Sequence, residues 1–323
     1  MTALVPASVI VCAHTNRRRG DIEDALASLA RQTCPPLEVV LVVDHNESLL
    51  AWARDRFAGE ARVVASTWPA GLSGARNTGV GEAVGDVLAF LDDDAVADPT
   101  WLERLVGHYA EPDVVGVGGG AFPVWEDQRP TWFPPEFFWV VGCSYVGLPG
   151  ETATVRNFIG ANMSYRREAF EQAGVFTLGL GRVGSTALGC EETEFGIRVR
   201  AALPGARFVY DPSAAVRHSV GVERGRVTYF LRRCYAEGVS KAAVSAIAGP
   251  DAALESERRY VGTVLPRGVA AGLLGRGSNP LRAAGIVAGL AVTAAGYAMA
   301  RVRGTWDPGG PAPLAIRPAG EGT

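Results

Sequence analysis

Apolar runs alternate with stretches of helical spacing along the first part of the chain. The continuous apolar runs lie at residues 8–13, 37–43, 61–65 and 87–91. Stretches with helical spacing lie between and after them, at residues 21–33, 46–57, 73–85 and 99–110. Continuous apolar runs are typical of strands buried on both faces, and their alternation with helices predicts a parallel, doubly wound α/β sheet. Ligands bind such sheets outside the C-terminal ends of the strands.

Polar residues and a proline mark the expected starts of three helices. We expect Asp21 and Ser73 to cap two of them, and Pro99 to open a third. The apolar residues near the N-terminus have no basic segment before them, so they predict a first strand and not a signal peptide.

The pattern changes from about residue 113. A glycine-rich, strand-like run is followed by an aromatic and proline-rich segment at 125–145, which predicts an irregular loop. Either this segment packs internally, or it forms an apolar acceptor groove or a membrane-facing lip. Residues 226–260 have a mixed helical pattern.

The C-terminal part contains an uncharged stretch at 283–300, rich in alanine and glycine and flanked by arginines. Its length is at the lower limit for a membrane span. We expect membrane association through residues 265–303, with a helix pair packed on the protein as the alternative. The predicted organisation is a catalytic domain at 1–225, a helical region at 226–303 and a disordered, glycine- and proline-rich tail at 304–323.

Charge and cysteine content narrow the class of protein. The formal net charge is −3, without the basic footprint that a nucleic-acid-binding protein carries. The five cysteines show no CxxC spacing, which favours reduced thiols in a cytosolic compartment over a zinc site.

Three aspartates, Asp92, Asp93 and Asp94, follow the apolar run at 87–91. Like charges at this spacing repel each other, and burial would raise that cost, so a positive partner is expected. A divalent cation such as Mg²⁺ or Mn²⁺ takes carboxylate and phosphate oxygens as ligands. The alternative from these residues alone is a solvated acidic turn.

Other segments favour a metal and a phosphate. Arg76 in the run GLSGARNTG can offer two parallel N–H groups to a phosphate, and Asn77 can both donate and accept hydrogen bonds. His218 follows a short strand-like run and is a candidate metal ligand. Glu191 and Glu192 lie close together in the run CEETEF.

The ordered set SVIVCAHTNRR, VVDHNE, GLSGARNTG, FLDDDAV, GANMSYRRE, CEETEF and VRHSV resembles a family 2 glycosyltransferase over roughly residues 5–222. The resemblance implies a GT-A fold: a Rossmann-like, mostly parallel sheet flanked by helices, here with a C-terminal helical appendage. It also implies an inverting enzyme that uses a nucleotide-diphosphate sugar and a divalent metal, Mn²⁺ or Mg²⁺.

The resemblance assigns expected roles to the donor end of the site. Ala13, His14 and Asp44 would hold the nucleotide base, and Arg76 and Asn77 would contact the nucleotide and diphosphate. Asp94 would bind the metal, Asp92 would reach the metal and the ribose or sugar, Asp93 would support the cluster, and His218 would complete the metal site.

The resemblance also places residues at the reacting end. The family's catalytic base is usually the aspartate of a Glu-Asp pair, and Glu192 takes that place here, with a side chain one methylene longer. Glu191 and Asn162 are expected beside the donor. Residues 178–189 just before the base are glycine-rich, which predicts either a mobile lid or a plain surface loop.

A longer match, through VVDHNE, WFPPEFFWVVGCSYVGLP and RCYAEGVSKA, is similar to proteins of the glucosyl-dolichyl-phosphate glucuronosyltransferase type. That resemblance implies UDP-glucuronate as donor, a polyprenyl-phosphate-linked sugar as acceptor, and a place at the cytoplasmic face of a membrane. Four arginines are candidates to bind the anionic sugar: Arg156, Arg166, Arg167 and Arg182.

Three alternatives stay open. One is a soluble glycosyltransferase that acts on a small-molecule or natural-product acceptor, with residues 265–303 packed on the catalytic domain. Another is an inactive relative that only binds nucleotide sugars. The third is a nucleotidyltransferase, for which the run CAHTNRRRGD would have to serve as a basic phosphate-binding loop.

Overall fold

One central sheet organises the protein. The computed structural model describes residues 5–182, 188–274 and 278–304. Within these ranges nine strands join in the order β3-β2-β1-β4-β8-β6-β9-β5, with β7 paired to β9. The strands are β1 (Ala7–Ala13), β2 (Glu38–Val43), β3 (Arg62–Ala65), β4 (Val87–Asp92), β5 (Ala95–Ala97), β6 (Val114–Trp125), β7 (Ala153–Thr154), β8 (Asn162–Arg166) and β9 (Arg207–Val220).

The first four strands are parallel and alternate with helices, as the apolar runs predict. These strands pair in parallel around β1, and the register sets Cys12 opposite Asp92 and Ala13 opposite Val43. The C-terminal ends of β1, β2 and β4 therefore lie side by side. The helices of this part are α1 (Arg19–Ala30), α2 (Glu47–Arg56), α3 (Leu72–Glu82) and α4 (Trp101–Gly107).

The second half of the sheet is mixed. Strand β8 runs antiparallel to both β4 and β6, β6 is parallel to β9, and β5 and β7 are antiparallel to β9. The α/β class is confirmed, while the parallel arrangement predicted for the whole sheet holds for β1 to β4. Apolar runs report that a strand is buried and leave its direction open.

The predicted helix caps are wrong. Helix α1 begins at Arg19, so Asp21 lies in its first turn, where a carboxylate still favours the helix dipole. Helix α3 begins at Leu72 after Gly71, and the Ser73 hydroxyl donates instead to the Leu180 carbonyl at 2.6 Å. Helix α4 begins at Trp101, two residues beyond Pro99.

The remaining α-helices lie after β8 in the sequence. They are α5 (Arg167–Ala173), α6 (Glu191–Ala202), α7 (Val227–Ala248), α8 (Pro250–Ala253), α9 (Glu255–Arg259), α10 (Leu265–Leu274) and α11 (Pro280–Arg303). A π-helical turn, Tyr260–Val264, joins α9 to α10.

The aromatic segment at 125–145 packs against α7 and α11. It contains the 3₁₀ helix Pro135–Val141, and its Phe133 and Phe137 share a buried core with Phe230 of α7 and Ile286 of α11. Glu136 is buried and pairs with Arg282 of α11 at 2.6 Å. Most of this segment therefore packs internally, which is the first of the two interpretations given above.

Helix α11 is long and apolar enough to cross a membrane, by length and composition alone. It docks on α7 through small residues, because a Cβ at Gly238 or Gly296 would collide with a backbone carbonyl of the other helix. Only 28 % of its apolar window is buried, and Leu281, Val287 and Val302 on its other face are exposed. The tail predicted at 304–323 lies, after Gly304, outside the described residues.

Candidate active site

A cavity of 1030 Å³ lies over the C-terminal ends of β1, β2 and β4. It extends from these strand ends, past the start of α6, to the helices α7, α10 and α11. Its lining includes Ala13, His14, Asp44, Arg76, Asp92, Asp93, Glu191 and Glu192. The cavity thus joins most of the residues that the sequence motifs single out.

The end of the cavity at β1 and β2 contains Ala13, His14 and Asp44, as expected. One carboxylate oxygen of Asp44 accepts a hydrogen bond from the backbone N–H of Gly71 at 2.9 Å, which fixes the start of α3 against β2. Burial, followed by the charge of Arg18, lowers the pKa of His14, so its imidazole is neutral at pH 7.

The aspartates and His218 meet at the next part of the site. Strand β9 brings His218 opposite Ala95, just beyond the aspartates. Its Nε2 lies 3.2 Å from Asp94 Oδ1 and 3.7 Å from Asp92 Oδ2. Adjacent ligands of an octahedral ion with bonds of about 2.1 Å lie about 3 Å apart, so this triad fits a Mg²⁺- or Mn²⁺-sized ion. One possible ligand atom from each of the three residues lies within 4.8 Å of the other two.

Two arginines that the sequence analysis did not single out balance the aspartates. Arg18 bonds Asp93 at 2.5 Å and Asp94 at 2.9 Å, and Arg224 bonds Asp94 at 3.1 Å. These two arginines therefore supply part of the positive charge that is expected beside the three aspartates. The sequence could have predicted the position of Arg18. The run NRRR follows β1, and the end of β1 lies beside the end of β4, where the aspartates begin.

These contacts hold the acids in different protonation states. Burial raises the pKa of Asp93 to about 7. Burial would also raise the pKa of Asp94, but the charge of His218 and its hydrogen bond, followed by Arg18 and Arg224, hold that pKa well below the usual range. Burial alone would lower the pKa of His218, but Asp94 and Asp92 raise it well above the usual value. Asp94 is therefore ionised at neutral pH and ready to act as a ligand.

Arg76 is buried and spans the site. Its guanidinium bonds Glu191 at 2.7 Å and the Gly160 carbonyl at 2.8 Å, with Asp92 at 3.4 Å. Its charge stands at the cavity wall, between the aspartates and the start of α6. Arg76 and Glu191 are therefore held against each other by helices α3 and α6.

Glu192 lies at the start of α6 and lines the cavity. Cys190, the residue before the first residue of α6, has φ 69°, a left-handed conformation that non-glycine residues rarely adopt. The Glu192 carboxyl accepts a long hydrogen bond, 3.4 Å, from the Thr193 hydroxyl. Burial, then the charge of Glu191, raises the pKa of Glu192 to about 8. A carboxyl so placed is suited to exchange a proton near neutral pH.

Four of the predicted site residues do not line the cavity. Two of them, Asp94 and His218, belong to the triad described above, and the other two are asparagines. Both amide atoms of Asn77 bond the backbone of Phe176, at 2.9 Å each. Asn162 is buried between strands, where it donates to two carbonyls and accepts from Trp101 Nε1 at 2.8 Å. In this structure both amides hold neighbouring segments together.

The four arginines proposed for an anionic sugar fall into two pairs. Arg156 and Arg182 line the cavity. Arg166 and Arg167 donate to backbone carbonyls elsewhere, such as that of Val114 at 2.8 Å and that of Gly85. Of the predicted lid at 178–189, residues 183–187 lie outside the described residues.

Comparisons with known proteins identify the family of the chain. The sequence model of glycosyl transferase family 2 matches residues 8–174. The chain is 35 % identical over 237 residues to the glucosyl-dolichyl phosphate glucuronosyltransferase of Haloferax volcanii, covering 72 % of this chain and 75 % of that protein.

Two solved structures share the fold. The mannosyltransferase PcManGT from Pyrobaculum calidifontis, solved with GDP-Man and Mn²⁺, is 22 % identical, with a TM-score of 0.58 over 95 % of this chain and 82 % of that one. GalNAc-T7, solved with UDP, GalNAc and Mn²⁺, is 16 % identical, with a TM-score of 0.53 over 84 % of this chain and 58 % of that one. From the family match and the identity to the Haloferax enzyme, we conclude that this chain belongs to glycosyl transferase family 2.

Proposed function

We propose that the protein is an inverting glycosyltransferase that moves a sugar from a nucleotide-diphosphate sugar to an acceptor hydroxyl. The observation that carries the proposal is a cavity lined both by Asp92, one member of the Asp92–Asp94–His218 triad, and by Glu192. An inverting transfer needs these two parts, one for the leaving diphosphate and one for the incoming hydroxyl.

The donor would lie along the ends of β1, β2 and β4. Ala13, His14 and Asp44 would contact the base and ribose. Asp92, Asp94 and His218 would hold a divalent ion, and such an ion neutralises charge on a departing diphosphate. The cations beside that place are Arg18, which spans Asp93 and Asp94, Arg224, which bonds Asp94, and Arg76.

The acceptor hydroxyl would enter from the side of α6. Glu192 would take the hydroxyl proton while the oxygen forms a bond to the anomeric carbon and the bond to the diphosphate oxygen breaks. Because the nucleophile and the leaving group occupy opposite faces, one displacement inverts the anomeric centre. A pKa near 8 leaves Glu192 basic enough to hold that proton.

The similarity to the Haloferax enzyme supports UDP-glucuronate as donor and a polyprenyl-phosphate-linked sugar as acceptor. Arg182, which lines the cavity close enough to affect the pKa of His14, is the cation we assign to the glucuronate carboxylate. The exposed apolar face of α11 supports a protein that works at a membrane surface, which we propose is the cytoplasmic one.

A donor panel tests the proposal. The full chain with Mn²⁺ is incubated with UDP-glucuronate, UDP-glucose, GDP-mannose and dTDP-glucose, each with and without glucosyl-phosphoryl-polyprenol, and release of nucleoside diphosphate is followed. We expect acceptor-dependent release of UDP from UDP-glucuronate, together with a product of inverted anomeric configuration. Release from a different donor would overturn the assigned sugar.

The main alternative is a soluble enzyme with a small-molecule acceptor. It is favoured by the tight docking of α11 on α7, which buries part of the apolar C-terminal region without a membrane. Transfer to a water-soluble glucoside as fast as to the lipid-linked one would support this alternative.

A further inference from the structure

Two hydrogen bonds connect the start of α6, which carries Glu192, to α7. The backbone N–H of Gly189 donates to the Ser240 hydroxyl at 3.0 Å. The Cys190 thiol donates to Glu237 Oε1 at 3.2 Å. Glu237 and Ser240 are three residues apart on α7, so they lie on the same face of that helix. We call these two hydrogen bonds the α7 anchor.

The side chains of the α7 anchor are in the right protonation states at neutral pH. Cys190 and Ser240 are both buried. Burial, and then the charge of Glu237, raises the pKa of the Cys190 thiol well above its usual value, so the thiol keeps its proton and donates. Burial would also raise the pKa of Glu237, but Lys241 and then Arg233 lower it, so the carboxylate accepts.

The turn held by the α7 anchor has an unfavourable backbone conformation. Cys190 adopts the left-handed conformation directly before α6, with φ 69°. A non-glycine residue keeps such a conformation only where the surrounding structure fixes it, and such residues are frequent at active sites. The Cys190 side chain does not cap α6 but lies in one buried cluster with Ala243 and Val244 of α7. Helix α7 therefore supports this turn through both packing and hydrogen bonds.

The start of α6 is held from the other side by α3. Glu191, the first residue of α6, bonds Arg76 of α3 at 2.7 Å. Two consecutive residues, Cys190 and Glu191, thus connect the helix start to two different helices. Glu192 is the next residue, and its side chain extends from this part of the backbone. Because a misplacement of about 1 Å can cost about 10²-fold in rate, the position of this helix start matters for a catalytic group on it.

We propose that Ser240 and Glu237 are positioning residues for Glu192. Through Gly189 and Cys190 they hold the first turn of α6 where the Glu192 carboxyl reaches the acceptor hydroxyl. This inference rests on the proposed function, because it needs Glu192 as the general base. It also gives α7, which belongs to the C-terminal helical region, a part in the chemistry.

Steady-state kinetics of Ser240→Ala test the first hydrogen bond, because this substitution removes the acceptor of the Gly189 N–H. We expect kcat to fall at least about tenfold. The dissociation constant of UDP in Mn²⁺ should stay unchanged, because the nucleotide would bind at the ends of β1, β2 and β4. A fall in nucleotide affinity as large as the fall in kcat would indicate a general structural role and overturn the proposal.

Ser245→Ala is the matched control for this variant. Both serine hydroxyls donate to the carbonyl four residues earlier in α7, at 2.9 Å for Ser240 and 2.7 Å for Ser245. Ser245 contacts Tyr297 of α11 at 3.4 Å, whereas Ser240 contacts the residue before Cys190. We expect kcat of Ser245→Ala to equal that of the wild type.

Substitutions at Cys190 test the second hydrogen bond and leave the other partners of Glu237 in place. Cys190→Ala removes the donor, whereas Cys190→Ser keeps an O–H group that can donate to Glu237. We expect kcat to fall in Cys190→Ala and to be largely restored in Cys190→Ser. Equal kcat values for the two variants would contradict the role of Glu237, and this comparison also decides the question if Ser240→Ala does not fold.

Hydrogen–deuterium exchange of the full chain needs no substrate, so it separates this inference from the proposed function. We expect Ser240→Ala to exchange faster than the wild type in the segment 189–194, and Ser245→Ala to match the wild type there. Unchanged exchange in Ser240→Ala, or faster exchange with unchanged kcat, would overturn the inference. If the wild type transfers no sugar but Ser240→Ala still exchanges faster in this segment, then the proposed function falls and the α7 anchor stands.

Discussion

At the scale of single residues, the most important assignment is that of the Glu192 carboxyl as the proposed general base. Glu192 lines the cavity, and the hydrogen bond that its carboxyl accepts from the Thr193 hydroxyl is long, 3.4 Å. We predict that Glu192→Gln lowers kcat by about 10²–10⁴-fold, the usual contribution of a general base. The dissociation constant of the donor should change little. An unchanged kcat in steady-state assays would contradict the assignment.

The rate should also depend on pH through the same group. Glu192 has a raised pKa of about 8, and below it the carboxyl already holds a proton and cannot accept another. We therefore predict that kcat/KM rises with pH and levels off above about 8. The charged groups that act on Glu192 include Glu191, Glu237 and Arg76, so Glu191→Gln should move the rise to lower pH. A pH profile unmoved by Glu191→Gln would contradict this account.

The sequence singled out Asp92, Asp94, His218 and Glu192, because their motifs lie directly after a strand, within a strand-like run or at a helix start. Their roles as metal ligands and base stay predictions. The sequence did not identify Arg18 and Arg224, whose partners are 75 and 130 residues away along the chain. Asn77 and Asn162 point away from the cavity because each satisfies buried backbone groups. Whether a polar side chain points into the cavity depends on its hydrogen-bond partners, and a single sequence does not show which partners it has.

At the scale of elements, the contact of α11 with α7 depends on glycine. A Cβ at Gly296 would collide with the Tyr235 carbonyl, whereas one at Gly107 meets nothing within 4 Å. We predict that Gly296→Ala lowers stability by about 1–3 kcal/mol, the usual cost of overpacking, and weakens acceptor binding more than donor binding. Thermal unfolding and acceptor KM measure the two effects, with Gly107→Ala as the control. Equal effects of both substitutions would contradict this packing role.

The elements themselves were largely predictable from periodicity. The first four strands and their helices fall within a few residues of the expected places, and so does α11. The direction of β8 and the pairing of β6 with β9 were not predictable, since both depend on contacts between segments far apart in sequence. The caps at Asp21 and Ser73 were wrong because tertiary contacts shifted the helix starts.

At the scale of the whole molecule, the predicted boundary at residue 225 crosses a shared core. Phe133 and Phe137 lie before it, Phe230 and Ile286 lie after it, and all four are buried together. We predict that a chain of residues 1–225 aggregates because this aromatic surface loses its cover. A chain of residues 1–304 should keep the unfolding temperature of the full protein. A soluble, cooperatively unfolding 1–225 fragment would show that the two regions are independent domains.

The central claim is that the aspartates and His218 form a clamp for a metal and a diphosphate. Calorimetric titration of the wild-type chain with UDP, and with GDP in parallel, in Mn²⁺ and in EDTA tests it most directly. We predict that Mn²⁺ strengthens binding of the nucleotide at least tenfold, that Asp94→Asn abolishes this gain, and that Glu192→Gln retains it. Equal binding in Mn²⁺ and EDTA, or an undiminished gain in Asp94→Asn, would contradict the claim.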